Sequence, residues 1–396
     1  MTEPLQEIPN FSKLSPSVIR ILGLNPGKLT LQGTNTYLIG TGPERILLDT
    51  GEGLPEYLSL LSQILKELGE NIRISDILIS HWHKDHIGGV EGIITYAEET
   101  LHHAPPTVHK NPDPQHDFAY RFPLHPITDN QIFKTQGATL RAIHTPGHTE
   151  DHTAFYLEEE NALFTADCVL GQGTTIFSDL KTYLESLEKL IRISGSDKSN
   201  NMRIYPGHGP VVENGVKKLE EYILHRRQRE KQILGIFENN NNDNGITPRE
   251  IVEILYADYP EKVWLFAEQN VILHLRKLEC DGKVIRPDGV ENDDLESFRA
   301  FSRIMAELQH IMSLSIPFPS PRLAIIAARA LSVDKELKSD EVTRTIHAKD
   351  EKLLVEFKCS SVRMLRVSVN SLMDMVIMVT RTMDVFDGWT PGKLDQ

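Results

Sequence analysis

The apolar positions of the chain follow two patterns, and the change from one to the other falls near residue 213. Residues 17–212 contain short β-branched runs that end in Gly, Asp or His, as in RILLDTG (45–51), ISDILIS (74–80) and NALFTADCVLG (161–171). Runs of this length and composition predict strands, with helical patterns between them. We therefore predict a mixed α/β fold with polar residues gathered where strands end, which is where α/β sheets usually carry their sites.

Residues 213–286 change to helical periodicity. Glu220 to Phe237 predicts one long helix, and the polar tract at 238–245 predicts a loop. Thr247-Pro248-Arg249-Glu250 has the spacing of a capping box and opens the next helix. A further helix, a DG turn and a short strand follow. Helix, helix and a small β wing are the outline of a winged-helix module.

The remainder of the chain predicts a polar linker at 286–297, a helix and a small α+β unit. The helix is expected from Leu295 and carries an apolar stripe of Phe298, Phe301, Met305, Leu308 and Met312. From Ser313 the pattern predicts the order β-α-β-β-α, with a last helix over 362–386. The predicted regions are therefore 9–212, 213–286, 287–312 and 313–390.

The last helix has more apolar surface than one face can hold. Its stripe at spacings of three and four consists of Leu365, Val369, Leu372, Val376, Val379 and Met383. Val367, Met375 and Met378 lie off this stripe and are apolar as well. Such a helix must be buried on more than one side, and methionine suits an adaptable interface. We predict a partner for the second side; cover by the helix predicted from Leu295 is the alternative.

Composition limits the class of protein. A length of 396 residues suggests two or three domains. No apolar run is long enough to span a membrane. The N-terminal MTEPLQEIPNF lacks the features of a signal or mitochondrial presequence, so we expect a cytoplasmic protein, with the nucleus as a second location. Three distant cysteines predict reduced thiols. The net charge of −14 argues against a coat of nucleic acid but allows one local basic groove.

The stretch ILISHWHKDHIGGVEGI (77–93) places His81, His83, Asp85 and His86 together. Imidazoles and carboxylates are the ligands that zinc prefers. His81 and His83 are spaced i and i+2, so on an extended segment their side chains point the same way. Asp85 and His86 lie one turn further on and can bind a second ion. The ends of other runs add Asp49, His148, Asp167 and His208. A single histidine is more often a surface residue, but a cluster joined by separate strand ends favours metal binding.

HWHKDH, with LLDTG, TPGHT, FTAD and YPGHG in that order, resembles the metallo-β-lactamase superfamily. The segment LGLNPGKLTLQGTNTYLIGTG (22–42) resembles the lactamase-like protein 2 group, which includes an animal mitochondrial endoribonuclease and fungal thioesterase-like proteins. The resemblance covers about Pro9 to Arg286. It implies an αββα sandwich with the site at its open edge, followed by the winged-helix module.

The resemblance also implies roles for individual residues. The first of two zinc ions would be held by His81, His83 and His148, and the second by Asp85, His86 and His208. Asp167 would bridge the two ions, and Asp85 and Asp167 are the expected catalytic residues. Asp49 would orient ligands by hydrogen bonds. Independently of the resemblance, the position of TEDH after His148 places Asp151 and His152 near the site, where either would donate a proton to the leaving group or support the site.

Two zinc ions about 3.5–4 Å apart can share a bridging hydroxide near neutral pH, which permits hydrolysis without a protein nucleophile. The substrate class stays open. Endonucleolytic cleavage of single-stranded RNA is the first hypothesis, and release of an acyl or polyketide chain from a carrier-protein thioester is the second. The long helix carries a basic strip formed by His225, Arg226, Arg227, Arg229 and Lys231. It could bind RNA only if these side chains lined one groove. A solvated helix surface is the favoured interpretation of it.

The segments SIPFPSPRLAIIAARALSVDKEL and LLVEFKCSSVRMLRVSVNSLMDMVIMVTRTMDVF resemble the small dimerising subunit of the KEOPS complex, which helps install threonylcarbamoyladenosine on tRNA. The resemblance covers about Ser313 to Gly388. It implies a unit without catalytic residues that docks on the KEOPS catalytic subunit and can form a homodimer. A non-catalytic scaffold is thus a third hypothesis. The two halves are one fused protein or two neighbouring genes read as one, which a messenger spanning residues 286–314 would distinguish.

Overall fold

The structure is a computed structural model that describes seven stretches of the chain: 4–193, 202–239, 245–285, 301–302, 310–332, 342–359 and 362–386. Contacts group the chain into two compact units, residues 1–235 with 248–277 and residues 236–247 with 278–396. The predicted linker at 286–297 lies outside the described residues. The four domain boundaries stay predictions, because this grouping does not separate the helical region from the α/β region.

The first unit contains two β-sheets. The seven-stranded sheet has its strands in chain order: β1 (Phe11–Lys13), β2 (Val18–Leu22), β3 (Asn35–Ile39), β4 (Glu44–Leu48), β5 (Arg73–Ile79), β6 (Thr107–Lys110) and β7 (His125–Pro126). The five-stranded sheet has the order β12-β11-β10-β9-β8, formed by β8 (Ile132–Thr135), β9 (Ala138–His144), β10 (Thr153–Leu157), β11 (Ala162–Ala166) and β12 (Arg203–Pro206).

The two sheets pack face to face through one apolar cluster. Val18 and Leu78 from the first sheet share this cluster with Leu140 and Phe164 from the second. Neighbouring residues such as Ile19 point to the opposite face and join a separate cluster. Both faces of each sheet are therefore buried, which explains why the strands appear in the sequence as nearly continuous apolar runs.

Helices cover the outer face of each sheet. The seven-stranded sheet is covered by α1 (Pro55–Leu68), α2 (Lys84–Ile87) and α3 (Val90–Thr95). The five-stranded sheet is covered by α4 (Leu180–Ile193) and α5 (Gly215–Asn239). This is the predicted αββα arrangement, which is confirmed. Next in the chain come α6 (Pro248–Leu255), α7 (Trp264–Cys280) and β13 (Val284–Ile285), and β13 pairs with β14 (Phe301–Ser302).

The second unit contains an antiparallel three-stranded sheet of order β15-β17-β16 with two helices. Its elements are β15 (His310–Pro317), α8 (Pro321–Leu331), β16 (Val342–Lys349), β17 (Lys352–Cys359) and α9 (Val362–Phe386). The hydroxyl of Ser320 accepts a hydrogen bond from the amide of Leu323 at 3.4 Å and caps α8. The predicted order β-α-β-β-α is confirmed.

The predicted helix from Leu295 to Met312 is wrong where the structure describes it. Residues 301–302 form β14, and residues 310–312 open β15, which pairs with β17 along its whole length. The error has a physical cause. Met312, Leu314, Ile316 and Phe318 alternate with period two, and strand pairing followed this period rather than the helical one. Residues 295–300 and 303–309 lie outside the described residues.

The stripe on α9 packs on the small sheet, with Leu372 and Val376 buried at its centre. Of the three apolar residues off the stripe, Met375 is partly buried, whereas Val367 is 55% and Met378 62% exposed. The described part of the chain therefore leaves one apolar side of α9 open to solvent. None of the helices in the described ranges has the length and apolar character needed to cross a bilayer.

Candidate functional site

The H-x-H-x-D-H motif begins where β5 ends and continues into α2. Nε2 of His81 lies 2.9 Å from Nδ1 of His83, and Nε2 of His148 lies 3.1 Å from the same atom. His148 comes from the loop between β9 and β10, in the other sheet. Three ring nitrogens from the two sheets thus converge on one point.

A second set of ligand atoms converges beside the first. Nε2 of His86 lies 3.2 Å from Oδ2 of Asp85, and Nε2 of His208 lies 3.4 Å from the same oxygen. His208 follows β12, whereas the other two residues lie in α2. The ligand atoms of Asp85 and His86 join that of His208 in a second group, although the ring centroid of His86 also lies 4.2 Å from that of His81.

Asp167 lies between the two sets. Its Oδ2 is 3.6 Å from Nε2 of His148, and its Oδ1 is 3.1 Å from Nε2 of His208. One carboxylate therefore faces both clusters. The position directly after β11 requires an unusual backbone, because Ala166 has a φ of 41°. Gly207 provides the space, since a Cβ there would lie 2.4 Å from Oδ1 of Asp167.

Asp49 follows β4 with a φ of 58° and holds the site from behind. Its Oδ2 lies 2.8 Å from Nδ1 of His86 and also accepts a hydrogen bond from the hydroxyl of Ser80 at 2.8 Å. The Ser80 hydroxyl lies 2.9 Å from Nδ1 of His81. Asp49 and Ser80 thus orient one imidazole of each cluster, with the Nε2 atoms free to face inward.

Sequence analysis missed Thr34 as well as Ser80. The hydroxyl of Thr34 donates to Oδ2 of Asp85 at 2.9 Å and accepts a hydrogen bond from Nδ2 of Asn25 at 3.1 Å. Thr34 lies in the 22–42 segment that narrowed the family resemblance. A hydroxyl has no spacing signal of its own, so only this resemblance could have drawn attention to it.

The charges of the two clusters differ. Burial lowers the pKa of His83 to about 4 and lowers that of His81 well below its ordinary value. Burial also acts on His86 and His208, but the carboxylates overcome it. Asp85, Asp167 and Asp49 hold the pKa of His86 well above its ordinary value, and Asp167 raises that of His208 to about 9.

These features fit divalent cations. Nε2 of His86 and Oδ1 of Asp167 are buried, and neither forms a hydrogen bond of acceptable geometry with the described residues. The carboxylates of Asp167, which is buried, and Asp85, which is partly buried, face histidine ring nitrogens that a cation could replace as partners, and Asp85 also accepts the hydrogen bond from Thr34. The two groups that could each hold an ion consist of His81, His83, His148 and Asp167, and of Asp85, His86 and His208. The structure brings together all seven side chains that the sequence singled out, and their role as ligands stays a prediction.

Asp151 and His152 lie behind the site rather than on its open side. Oδ2 of Asp151 is 2.8 Å from Nζ of Lys110, and its Oδ1 accepts a hydrogen bond from the hydroxyl of Thr149 at 2.7 Å. His152 is fully buried, and its Nδ1 lies 2.8 Å from the hydroxyl of Thr145. Neither residue is among the described side chains that line the cleft, so this geometry favours support over proton donation.

A cleft of about 620 Å³ opens above the two clusters. Apolar side chains form much of its lining, namely Leu29, Leu31, Leu170, Ile176 and Phe177. Two cations, Lys28 and Lys84, also line the cleft. Lys84 pairs with Glu52 at 3.2 Å, whereas Lys28 forms no ion pair within the described part of the chain. The cleft thus offers apolar contacts and positive charge next to the two His/Asp clusters.

The basic strip on α5 does not form a groove. Arg226 is buried, Arg227 pairs with Glu188 at 2.8 Å, and the guanidinium of Arg229 lies 4.8 Å from the ring centroid of Tyr256. His225 and Lys231 are exposed. These side chains leave the helix in different directions and form no groove, but the favoured interpretation of a solvated helix surface holds only in part, because Arg226 is buried.

Comparisons with known proteins agree with the geometry. Residues 29–208 match the metallo-beta-lactamase superfamily, residues 247–292 match the beta-lactamase associated winged helix domain, and residues 311–384 match the family described as transcription factor Pcc1. The last match agrees with the predicted resemblance to the small KEOPS subunit.

The chain is also similar to individual proteins over most of their length. The chain is 45% identical over 280 residues to the beta-lactamase-like protein 2 homolog of Drosophila melanogaster, covering 70% of this chain and 92% of that one. It is 43% identical over 294 residues to the lactamase-like protein nscB of Aspergillus fumigatus, covering 71% and 83%. A beta-lactamase domain protein from Burkholderia ambifaria shares the fold, with a TM-score of 0.58 at 17% identity over 74% of this chain and 93% of that one. The chain therefore belongs to the metallo-β-lactamase superfamily of metal-dependent hydrolases, in the group of β-lactamase-like protein 2, and carries a Pcc1-family domain at its C-terminal end.

Proposed function

We propose that this protein is a two-zinc endoribonuclease that cleaves single-stranded RNA in the cleft above the His/Asp clusters. The observation that carries the proposal is the position of Asp167, whose two oxygens face His148 at 3.6 Å and His208 at 3.1 Å. A pair of divalent cations bound side by side acidifies water and stabilises the oxygen charge that develops in phosphodiester hydrolysis. Five imidazoles and two carboxylates are a donor set that suits zinc.

The residues of the chain would divide the work in a simple way. Asp49 and Ser80 orient His86 and His81, so that the ligand atoms are fixed before substrate arrives. No nucleophilic side chain is needed. Cys168 follows Asp167 directly, but it is buried, and burial raises the pKa of its thiol to about 12. A neutral thiol is a poor nucleophile, which leaves water as the attacking group.

The rim of the cleft suits a negatively charged chain whose bases present flat aromatic faces. Lys28 has no ion-pair partner in the described ranges and can contact a phosphate. Leu29 and Ile176 are exposed beside the cleft and can contact the flat faces of bases. The proposal rests on these rim residues rather than on the α5 strip, whose arginines are engaged elsewhere.

A thioester is the second candidate substrate. The apolar lining that would contact a base can equally contact an acyl chain, and Leu31, Leu170 and Phe177 extend it into the cleft. The 43% identity to the lactamase-like protein nscB is compatible with this candidate. In this case Lys28 would contact an acidic group on the carrier protein or its arm.

The deciding experiment uses zinc-loaded full-length protein with a panel of single-stranded RNA, tRNA and acyl thioesters. The proposal predicts cleavage of single-stranded RNA with a rate that falls as salt rises. Asp167→Ala protein prepared in parallel excludes a contaminating nuclease. Release of free thiol from acyl thioesters without RNA cleavage would replace the first candidate with the second. Activity on none of these substrates would favour the scaffold hypothesis.

For the C-terminal unit we propose docking on the KEOPS catalytic subunit, with a homodimer as the second arrangement. The apolar side of α9 that includes Val367 and Met378 supports it, because both side chains are exposed in the chain alone. Both compartments predicted above, the cytoplasm and the nucleus, suit such a partner. Deleting residues 313–396 should abolish co-purification with the catalytic subunit and spare hydrolysis. Retained co-purification would mean that other residues bind the partner.

A further inference from the structure

One wall of the cleft is a loop, residues 170–177, that also contacts a metal-ligand candidate. The carbonyl oxygen of Ile176 lies 2.7 Å from Nδ1 of His148, a distance at which Nδ1–H donates to it. This bond leaves Nε2 of His148 free to face His83 and Asp167. The position of the loop therefore sets the direction of the imidazole.

Helix α5 holds this loop at three points. The hydroxyl of Tyr222 accepts a hydrogen bond from the amide of Leu170 at 3.1 Å and donates one to the carbonyl of Gly173 at 3.0 Å. One turn further along the helix, Nη2 of Arg226 donates to the carbonyl of Thr175 at 2.9 Å. The loop carbonyls at 173, 175 and 176 are thus fixed in turn by Tyr222, Arg226 and His148.

Arg226 is in an unusual setting for a cation. Its residue is only 4% exposed, and no carboxylate in the described part of the chain forms an ion pair with it. Its guanidinium carbon lies 4.7 Å from the ring centroid of Phe177, in the same loop. A buried cation without an acid is costly and must be offset by its other contacts. Its contacts with Thr175 and Phe177 both lie in the loop, which points to the loop as the reason for its burial.

The C-terminal end of the loop connects the contact with Arg226 to the backbone next to His148. The ring of Phe177 stacks on Tyr183 with centroids 5.4 Å apart, and the amide of Ser178 donates to the carbonyl of Gly147 at 2.7 Å. Gly147 precedes His148 and has no room for a side chain, since a Cβ would lie 2.4 Å from Cα of Tyr183. A shift of the loop would therefore move the backbone that carries His148.

We propose that Arg226 and Tyr222 are positioning residues of the metal centre. They fix loop 170–177 against α5, and the loop holds His148 in the direction that completes the first cation cluster. Helix α5 is thereby part of the hydrolytic site, although none of its described side chains belongs to the two groups of ligand candidates. The proposal concerns cation binding and holds for an RNA or a thioester substrate alike.

The test compares four variants of the full-length protein. Arg226→Met removes the donor and the charge, Arg226→Lys restores one donor, and Tyr222→Phe removes only the hydroxyl. Arg227→Met is the matched control, because Arg227 is the next residue and its ion-pair partner among the described residues is the partly exposed Glu188. Cobalt(II) is titrated into metal-free protein, and its visible absorption reports the number and geometry of its ligands. Hydrogen exchange of the amides at 170–177 is measured without metal.

Loss of the loop contacts should weaken cobalt binding at one of two sites by about tenfold in Arg226→Met, the lower end for a residue that supports a ligand. Tyr222→Phe loses the hydrogen bonds to Leu170 and Gly173 but leaves Arg226 in place, and it should weaken cobalt binding by about fivefold. Exchange at 170–177 should rise in both variants, and Arg226→Lys should recover most of the affinity. Arg227→Met should match the wild type in every measurement.

Wild-type cobalt affinity and spectrum in both Arg226→Met and Tyr222→Phe would overturn the proposal. An equal loss in Arg227→Met would overturn it as well, because the effect would then belong to any lost arginine. If Arg226→Met does not fold, the proposal is tested by the cobalt affinity and the hydrogen exchange at 170–177 in Tyr222→Phe and Arg226→Lys. Failure to cleave RNA would refute the proposed substrate without affecting this result.

Discussion

Oδ2 of Asp49 lies 2.8 Å from Nδ1 of His86, a metal-ligand candidate, and both side chains are buried. This contact keeps the proton of His86 on Nδ1 and its Nε2 directed at Asp85 and Asp167. Asp49→Asn can place its NH₂ group toward Nδ1 and favour the wrong tautomer. We expect zinc affinity at the second cluster to fall about 10–100-fold, as for other residues that support a ligand. Competition titration with a chromophoric chelator measures it.

A matched control for Asp49→Asn is Asp76→Asn. Oδ1 of Asp76 lies 3.0 Å from Nε2 of His109, so the same type of contact is changed in the same sheet but away from the clusters. Zinc affinity should be unchanged in this variant. Equal affinities in the two variants and the wild type would mean that His86 does not depend on Asp49 for its orientation.

Replacement of the shared carboxylate should affect both clusters. In Asp167→Ala, His148 loses its carboxylate neighbour and His208 keeps only Asp85, so we expect hydrolysis to fall to the level of the metal-free protein. The fold should persist, because Asp167 lies at the end of β11 and outside the apolar clusters. Turnover, bound zinc and the circular-dichroism melting curve are measured together, with His83→Ala as a second variant. Wild-type turnover by purified Asp167→Ala would refute the assignment of the site.

The sequence predicted the ligand candidates because each lies in a short motif at the end of an apolar run. The order of these motifs along the chain identified the family. The order was needed because the strands that carry Asp49, Asp167 and His208 belong to two sheets, which only the fold brings together. Thr34 and Ser80 could not be predicted in the same way. Hydroxyls are common near strand ends, and only the distance to Asp85 or Asp49 distinguishes these two.

Arg226 shows a different limit of sequence analysis. Charge pattern placed it in a basic strip with Arg227 and Arg229, but an α-helix turns by about 100° per residue, so neighbouring cations face different surroundings. Which one is buried depends on the loop that packs there, at Thr175 and Phe177. The wrong helix prediction near Met312 has a similar origin, because pairing with β17 decided between two periodicities that the residues both allow.

The exposed apolar side of α9 gives a prediction for the C-terminal unit. Met378 is 62% exposed and Val367 55% exposed, so glutamate at either position should leave the small domain folded. If this side of the helix contacts the KEOPS catalytic subunit, burying a carboxylate there should weaken association by at least about tenfold. Pull-down with the purified catalytic subunit measures it, and Arg366→Glu is the control, because Arg366 is exposed but is not apolar in the wild type. Unchanged binding in both Val367→Glu and Met378→Glu would exclude this face.

His274 on α7 should make the N-terminal unit sensitive to acid. It is fully buried, and neither ring nitrogen has a hydrogen-bond partner in the described part of the chain. Burial, followed by the nearby charges of Arg226, Arg229 and Lys277, lowers its pKa to about 3. The unfolded chain gains a proton near pH 6.5, and the folded chain does not until about pH 3. His274 should therefore contribute a fall in the free energy of unfolding of about 1.4 kcal/mol per pH unit below about pH 6.5.

Phenylalanine at position 274 removes the titrating group and keeps a ring of similar size against Phe177. Two effects are expected in His274→Phe. The unfolding free energy at neutral pH should rise by about 1–3 kcal/mol, because an unsatisfied buried polar group is lost. The decline of the unfolding free energy between about pH 6.5 and pH 5 should become shallower by about 1.4 kcal/mol per pH unit. The reason is that the folded and unfolded chains no longer differ in proton binding at position 274. Urea unfolding at several pH values measures both effects, with the exposed His347→Phe as the control. A variant as acid-sensitive as the wild type would show that other groups cause the decline.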